Sequence, residues 1–118
     1  MVQPIAVRAF TEAPAPLTPP VRPAGAPDVL APDLRNLPML ALPLGIRTAY
    51  EGLSWGRHIN EFTTAWDVVC RADAPNLGIG IDSFHAFATK TALEDLEMLD
   101  PDKIFLVQLA DFMWNEIP

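Results

Sequence analysis

The chain has 118 residues, enough for one domain with a single hydrophobic core. Hydrophobic residues make up 50% and charged residues 19%, too apolar for a disordered chain and too broken by charge for a membrane span. Fifteen Asp and Glu stand against eight scattered Lys and Arg, a formal charge of -7, which argues against a nucleic-acid partner.

Ten of the thirteen prolines fall in residues 1–43. Each removes a backbone donor and restricts the residue before it, so residues 1–32 are expected to be Pro-rich extended or disordered chain. Asp33 to Leu42 has an Asp cap and apolar residues at helical spacing, interrupted by Pro38, and reads as a short or kinked helix. From Gly45 onward three strand-like runs follow: Ile46 to Glu51, Leu77 to Asp82 and Lys103 to Gln108. Between the first two, Asn60 to Ala72 places Phe62, Ala65, Trp66, Val69 and Cys70 on one face of an amphipathic helix. On that face Cys70, the one cysteine, is expected to be a small core residue, unable to form an internal disulfide or a Cys-based zinc site. Between the second and third runs, Leu93, Leu96 and Leu99 mark a shorter helix over Thr91 to Leu99, stopped by Asp100-Pro101. Strand, helix, strand, helix, strand at about 26 to 31 residues per unit is the rhythm of parallel β/α architecture. The predicted organisation is a Pro-rich segment over 1–32 and an α/β domain over 33–118.

In such architectures the loops after the strands converge on one mouth, where functional groups collect. Glu51, Asp82 and Gln108 end the three runs. Two carboxylates and an amide carbonyl make a hard, oxygen-rich set suited to a divalent cation, Mg²⁺, Mn²⁺ or Co²⁺. A cation there would polarise a substrate ketone or hydroxyl and stabilise the charge left when a neighbouring proton is taken. His85, three residues after Asp82, could reach the same mouth as acid or base. Arg57 and His58, in the loop after Glu51, could hold a substrate carboxylate or another oxygen-rich group. Each of these residues also has a structural reading: a carboxylate after a strand serves as a helix cap or turn former, a lone His packs or faces solvent, and Trp55, Trp66 and Trp114 serve packing. The coincidence of three successive strand ends is what favours a site.

At these residues the sequence resembles the xylose-isomerase-like TIM barrel superfamily, and most closely its bacterial 3-dehydroshikimate dehydratase members. The resemblance runs from about Asp33 to Asp111. It is carried by Tyr50-Glu51-Gly52-Leu53-Ser54-Trp55-Gly56-Arg57-His58, Asp82-Ser83-Phe84-His85 and Phe105-Leu106-Val107-Gln108-Leu109-Ala110-Asp111. It implies a partial (β/α)8 barrel of about three parallel strands, corresponding to strands five, six and seven. It further implies Glu51, Asp82 and Gln108 as metal ligands and His85 as a substrate-contacting acid/base residue. Related sugar epimerases usually have His at the third ligand position and an Arg six residues later; Gln108 and Trp114 stand there here, which favours the dehydratase. The implied reaction is loss of water from 3-dehydroshikimate to give protocatechuate, in quinate and shikimate catabolism. A sugar phosphate isomerase or epimerase of the same superfamily is the alternative, and a non-catalytic remnant or assembly module is a third. A complete barrel needs about 250 residues, so the chain is expected to be a fragment, inactive by itself, that self-associates through exposed sheet edges. The expected partner is a small molecule, 3-dehydroshikimate or a sugar-like polyol, with no membrane. In the absence of an export signal, the expected location is the cytoplasm.

Overall fold

The computed structural model describes residues 27–111 in full and residues 5–9 as a backbone strand. In chain order the elements are β1 (Ile5–Ala9), α1 (Pro27–Ala41), β2 (Arg47–Glu51), α2 (Phe62–Ala72), β3 (Leu77–Asp82), α3 (Ser83–Ala88) and β4 (Ile104–Gln108). Three short 3₁₀ turns, at Leu42–Leu44, Leu93–Met98 and Pro101–Lys103, link them. The strands form one sheet in the order β1-β2-β3-β4, and every neighbouring pair is parallel. All the strand ends therefore lie on one side, as the β/α rhythm predicts.

Side chains alternate across the strands. One face carries Tyr50, Leu77 and Ile79, which pack with Leu34 of α1 and with Phe62, Ala65, Val68 and Val69 of α2 to form the core. The other face carries Ala49 and Glu51 of β2 opposite Gly80 of β3, where a Cβ would sit 3.7 and 3.8 Å from the β-carbons of those two residues. This second face leads to the strand ends that carry Glu51, Asp82 and Gln108. Deeper on it, the Arg47 guanidinium lies 4.6 Å from the centre of the Phe105 ring.

The register between β3 and β4 contains an irregularity: Ile79 pairs with Ile104, but Gly80 pairs with Leu106. Phe105 is the additional residue, and its ring lies over Gly78. After this bulge Asp82 pairs with Gln108, so the two share a face.

Several expectations are revised. The sheet has four strands where about three were expected, because Ile5–Ala9 pairs with β2. This stretch lies between Pro4 and Pro14, so no proline interrupts its ladder. The first helix starts at Pro27, ahead of the expected Asp33, and runs through Pro32 and Pro38. Burial of Ala31, Leu34 and Pro38 against the rest of the fold offsets the lost donors. Asn76 supports the same region by donating to the carbonyls of Pro38 and Ile46 at 2.6 and 2.9 Å. Cys70 is exposed, since the buried stripe of α2 runs Phe62, Ala65, Val68, Val69, Ala72 and leaves it to one side. Leu93 and Leu96 lie in a 3₁₀ helix, whose own period is three, and Leu99 is its extended C-cap. Leu99 is buried and Leu96 packs partly against the core, while Leu93 is exposed. The short helix α3 was not predicted. Trp114 lies outside the described residues.

A Cβ at Gly78 would run into the Lys103 carbonyl and come within 2.8 Å of the Phe105 ring. Gly78→Ala is therefore expected to lower stability by about 1–3 kcal/mol, as overpacking does, read as a lower urea midpoint with an unchanged slope. A midpoint equal to that of the wild-type chain would contradict this packing.

Candidate metal centre

Glu51 is the last residue of β2 and Asp82 the last of β3, and the parallel sheet brings both to the same edge. Asp82 also caps α3, accepting a hydrogen bond from the Phe84 amide on Oδ1 at 2.9 Å. That cap starts the helix one residue later and carries His85 back over the strand ends. One potential ligand atom from each of Glu51, Asp82 and His85 lies within 4.8 Å of the others. Glu51 and His85 are buried, and Asp82 is half-buried.

His85 is held by Glu51, by Ser54 and by two aromatic rings. Its Nε2 lies 3.3 Å from Glu51 Oε1. On the other side of the ring, Nδ1 accepts a hydrogen bond from the Ser54 amide at 3.0 Å and sits 3.1 Å from the Ser54 hydroxyl. The Trp55 and Phe84 rings stand edge-on to it, with centroids 5.0 and 5.2 Å away. Ser54 and Trp55 are the central residues of a tight turn closed by the Gly56 amide donating to the Leu53 carbonyl at 2.7 Å. Close packing of this loop needs Gly56, where a Cβ would lie 2.5 Å from the Ile59 carbonyl oxygen.

Burial pushes the Glu51 carboxyl above its ordinary range, and the negative charge of Asp82 pushes it further. Burial also pulls the His85 imidazole below its ordinary value, opposed by the Asp82 charge. A buried carboxyl whose ionisation is made costly by desolvation and by the neighbouring Asp82 charge is an environment in which a bound cation would be stabilising. That chemistry fits a hard divalent ion.

The strand register places Gln108 beside Asp82 on the same face, with its side chain exposed. Arg57 and His58 lie exposed in the loop after β2, and His58 is outside the compact group of ligand atoms. Asp111 follows β4 and is also exposed. The contribution of Ser54 had no sequence signal beyond its place in the Tyr50-to-His58 block. A main-chain donor leaves no mark on residue type. Trp55 is 67% exposed, so its role here is as a wall beside His85 rather than as core.

The chain belongs to the xylose isomerase-like TIM barrel family, whose model matches residues 7–117. It is 46% identical over 87 residues to a 3-dehydroshikimate dehydratase of Pseudomonas aeruginosa, an alignment covering 74% of this chain and 14% of that protein. It is 35% identical over 79 residues to an inosose isomerase of Bacillus licheniformis, covering 66% and 28%. Among solved structures, a xylose isomerase-like TIM barrel/4-hydroxyphenylpyruvate dioxygenase fusion protein aligns with TM-score 0.78 and 34% identity over 92% of this chain and 16% of that one. The IOLI protein with a bound zinc atom aligns with TM-score 0.70 and 26% identity, over 92% and 38%. The chain thus spans a minor part of the length of the relatives it matches. No helix among the described residues is long and apolar enough to cross a membrane.

The pKa shifts have opposite signs in stability. A carboxyl whose folded pKa is raised destabilises the fold while ionised, and the cost is relieved as pH falls through the raised value. Glu51→Gln is therefore expected to raise the urea midpoint of the metal-free chain at pH 7, with the gain shrinking as pH approaches the ordinary Glu value of 4.5. For His85 the folded pKa is depressed, so its contribution is present above the ordinary 6.5 and is lost as pH falls through the lower folded value. A Glu51→Gln variant less stable than wild type at pH 7 would show that the ionised carboxylate is compensated within the fold.

Proposed function

We propose that Glu51 and Asp82, with Gln108 as a third oxygen donor, hold a divalent metal ion in the site of a 3-dehydroshikimate dehydratase-like lyase. The observation that carries this reading is the approach of Glu51, Asp82 and His85 ligand atoms to within 4.8 Å at the ends of parallel strands. The choice of the dehydratase is supported by the 46% and 42% identities to proteins of that name, against 35% for the inosose isomerase. In a complete barrel the substrate would be 3-dehydroshikimate and the product protocatechuate, formed by loss of water; the chain by itself is expected to be inactive.

A divalent ion held here would place positive charge beside the substrate ketone, lowering the cost of the negative charge that builds on its oxygen as the neighbouring proton leaves. The chain's own residues would do the rest. Glu51 and Asp82 bring net negative charge to the site, and Gln108 adds a dipole without a further charge. His85, whose burial favours its neutral form, stands where it can exchange a hydrogen bond or a proton with a substrate oxygen. Trp55 shields one side of the imidazole from water. Arg57 and His58, in the loop after β2, would bind the substrate carboxylate, Arg57 in two-point fashion.

The second reading, an isomerase of a cyclic polyol ketone, rests on the inosose isomerase relatives. It would use the same cation and the same His85. The two part company at the substrate.

Calorimetric titration with Mn²⁺ separates these outcomes. The chain is expected to bind Mn²⁺, with affinity lowered by at least roughly 10- to 100-fold in Asp82→Asn, the loss seen when even outer-shell partners of a metal are removed. Saturating 3-dehydroshikimate is expected to tighten Mn²⁺ binding by roughly 5-fold or more, since a ligand that contacts the cation must be coupled to it. Tightening by inosose alone would favour the isomerase. Absence of Mn²⁺ binding at millimolar concentration would remove the metal centre and both readings with it.

A further inference from the structure

We propose that Ser54 is a positioning residue for His85. Its main-chain amide fixes the imidazole as the neutral tautomer protonated on Nε2, so that His85 meets Glu51 and a bound substrate as a hydrogen-bond donor and stays outside the metal's ligand shell. The part concerning substrate and metal rests on the function proposed above, whereas the tautomer does not.

A peptide N–H only donates, so the Ser54 amide at 3.0 Å from Nδ1 requires a lone pair there. An Nδ1 that offers its lone pair carries no proton, and a neutral imidazole then carries its proton on Nε2. That atom faces Glu51 Oε1 at 3.3 Å, an acceptor when ionised. Both ends of the ring are thus matched in one tautomer. The other would set an Nδ1–H against the Ser54 N–H and a bare Nε2 against a carboxylate.

Turning the ring over offers no escape. A half-turn of the imidazole plane puts Cδ2 at the Ser54 amide and Cε1 toward Glu51, losing both hydrogen bonds. The Trp55 and Phe84 edges, at 74° and 87° to the ring, also hold its plane. The Ser54 hydroxyl, 3.1 Å from Nδ1, can donate to the same lone pair and reinforces the choice. The amide is presented to the ring because the turn spends its own hydrogen bond elsewhere, between Gly56 and Leu53.

Proximity alone would count His85 as a third ligand beside Glu51 and Asp82. Its nitrogens are spoken for: one lone pair is engaged by Ser54, and the other position holds a proton. A metal on Nε2 would have to displace that proton, which instead can orient the Glu51 carboxylate from outside, as outer-shell donors do.

Nitrogen NMR of the full chain tests this directly. With only two histidines present, the His58→Gln variant leaves His85 as the single imidazole. In the metal-free chain at neutral pH, Nε2 is expected in the protonated range and Nδ1 in the unprotonated range, with a scalar coupling across the hydrogen bond between the Ser54 amide nitrogen and Nδ1. Ser54→Ala keeps the amide, and the pattern is expected to persist. On adding Zn²⁺, Nε2 is expected to keep its proton while calorimetry on the same sample records binding. The reverse tautomer, a rapidly exchanging pair, a missing coupling, or loss of the pattern in Ser54→Ala would each overturn the role of the amide. Loss of the Nε2 proton on Zn²⁺ binding would overturn the exclusion of His85 from the ligand shell. A chain that takes up no Zn²⁺ would overturn the metal site itself, while the metal-free spectrum would still decide the tautomer.

Discussion

The candidate site depends on a condition of parity. In a strand, alternate residues face opposite sides, so a slip of one residue between neighbours would carry a ligand to the helix-packed face. Glu51 and Asp82 meet because β2 and β3 pair without interruption through Thr48, Ala49 and Tyr50. Gln108 joins their face because β4 takes one extra residue at Phe105 before its pairing with Asp82. The bulge has room because β3 is glycine at that level: the Phe105 ring occupies the space over Gly78 that a side chain would need. A packing detail several residues below the mouth thus sets which groups appear at it. Hydrophobic burial of Leu77, Ile79, Val68 and Ala65 on the opposite face holds the sheet in this register.

At the mouth the electrostatics are arranged around an excess of negative charge in a poorly solvated place. Each carboxylate has a counterweight inside the fold. Asp82 accepts from the Phe84 amide, and Glu51 faces His85 Nε2. Neither counterweight is a full positive charge. Burial keeps His85 toward its neutral form, and the helix that Asp82 caps is one of only six residues. The site can therefore gain free energy from a cation without first losing a strong internal ion pair, the difference between a binding site and a completed salt bridge.

Much of this was legible in the sequence, for identifiable reasons. The three runs ending at Glu51, Asp82 and Gln108 were readable because β-rich stretches bounded by turn residues have little else to become, and their spacing left room for a helix between each pair. The stripe of α2 was readable from Phe62, Ala65 and Val69, although Cys70 at the edge of that stripe is exposed. Other features resisted for equally physical reasons. Ile5–Ala9 has no turn signals or long periodic pattern to announce it; its pairing with β2 is a long-range choice. The proline content of α1 argued locally against a helix that tertiary packing supports. Helix α3 is a single short segment nucleated by the Asp82 cap, so one carboxylate had to be read twice, as a candidate ligand and as a cap. Ser54 acts on His85 through a main-chain atom, which residue identity does not encode.

The double duty of Asp82 bears on how such a site can decay over generations. Its Oδ1 starts the helix that carries His85, a task that asparagine or serine performs about as well. The proposed metal site asks for a negative charge, which neither supplies. A lineage released from selection for turnover would thus meet little resistance from folding when the charge at this position is lost, and His85 would still be delivered to its place beside Glu51. Architecture would outlive reactivity, and a well-formed mouth with an amide at position 82 would be the fossil of a retired enzyme.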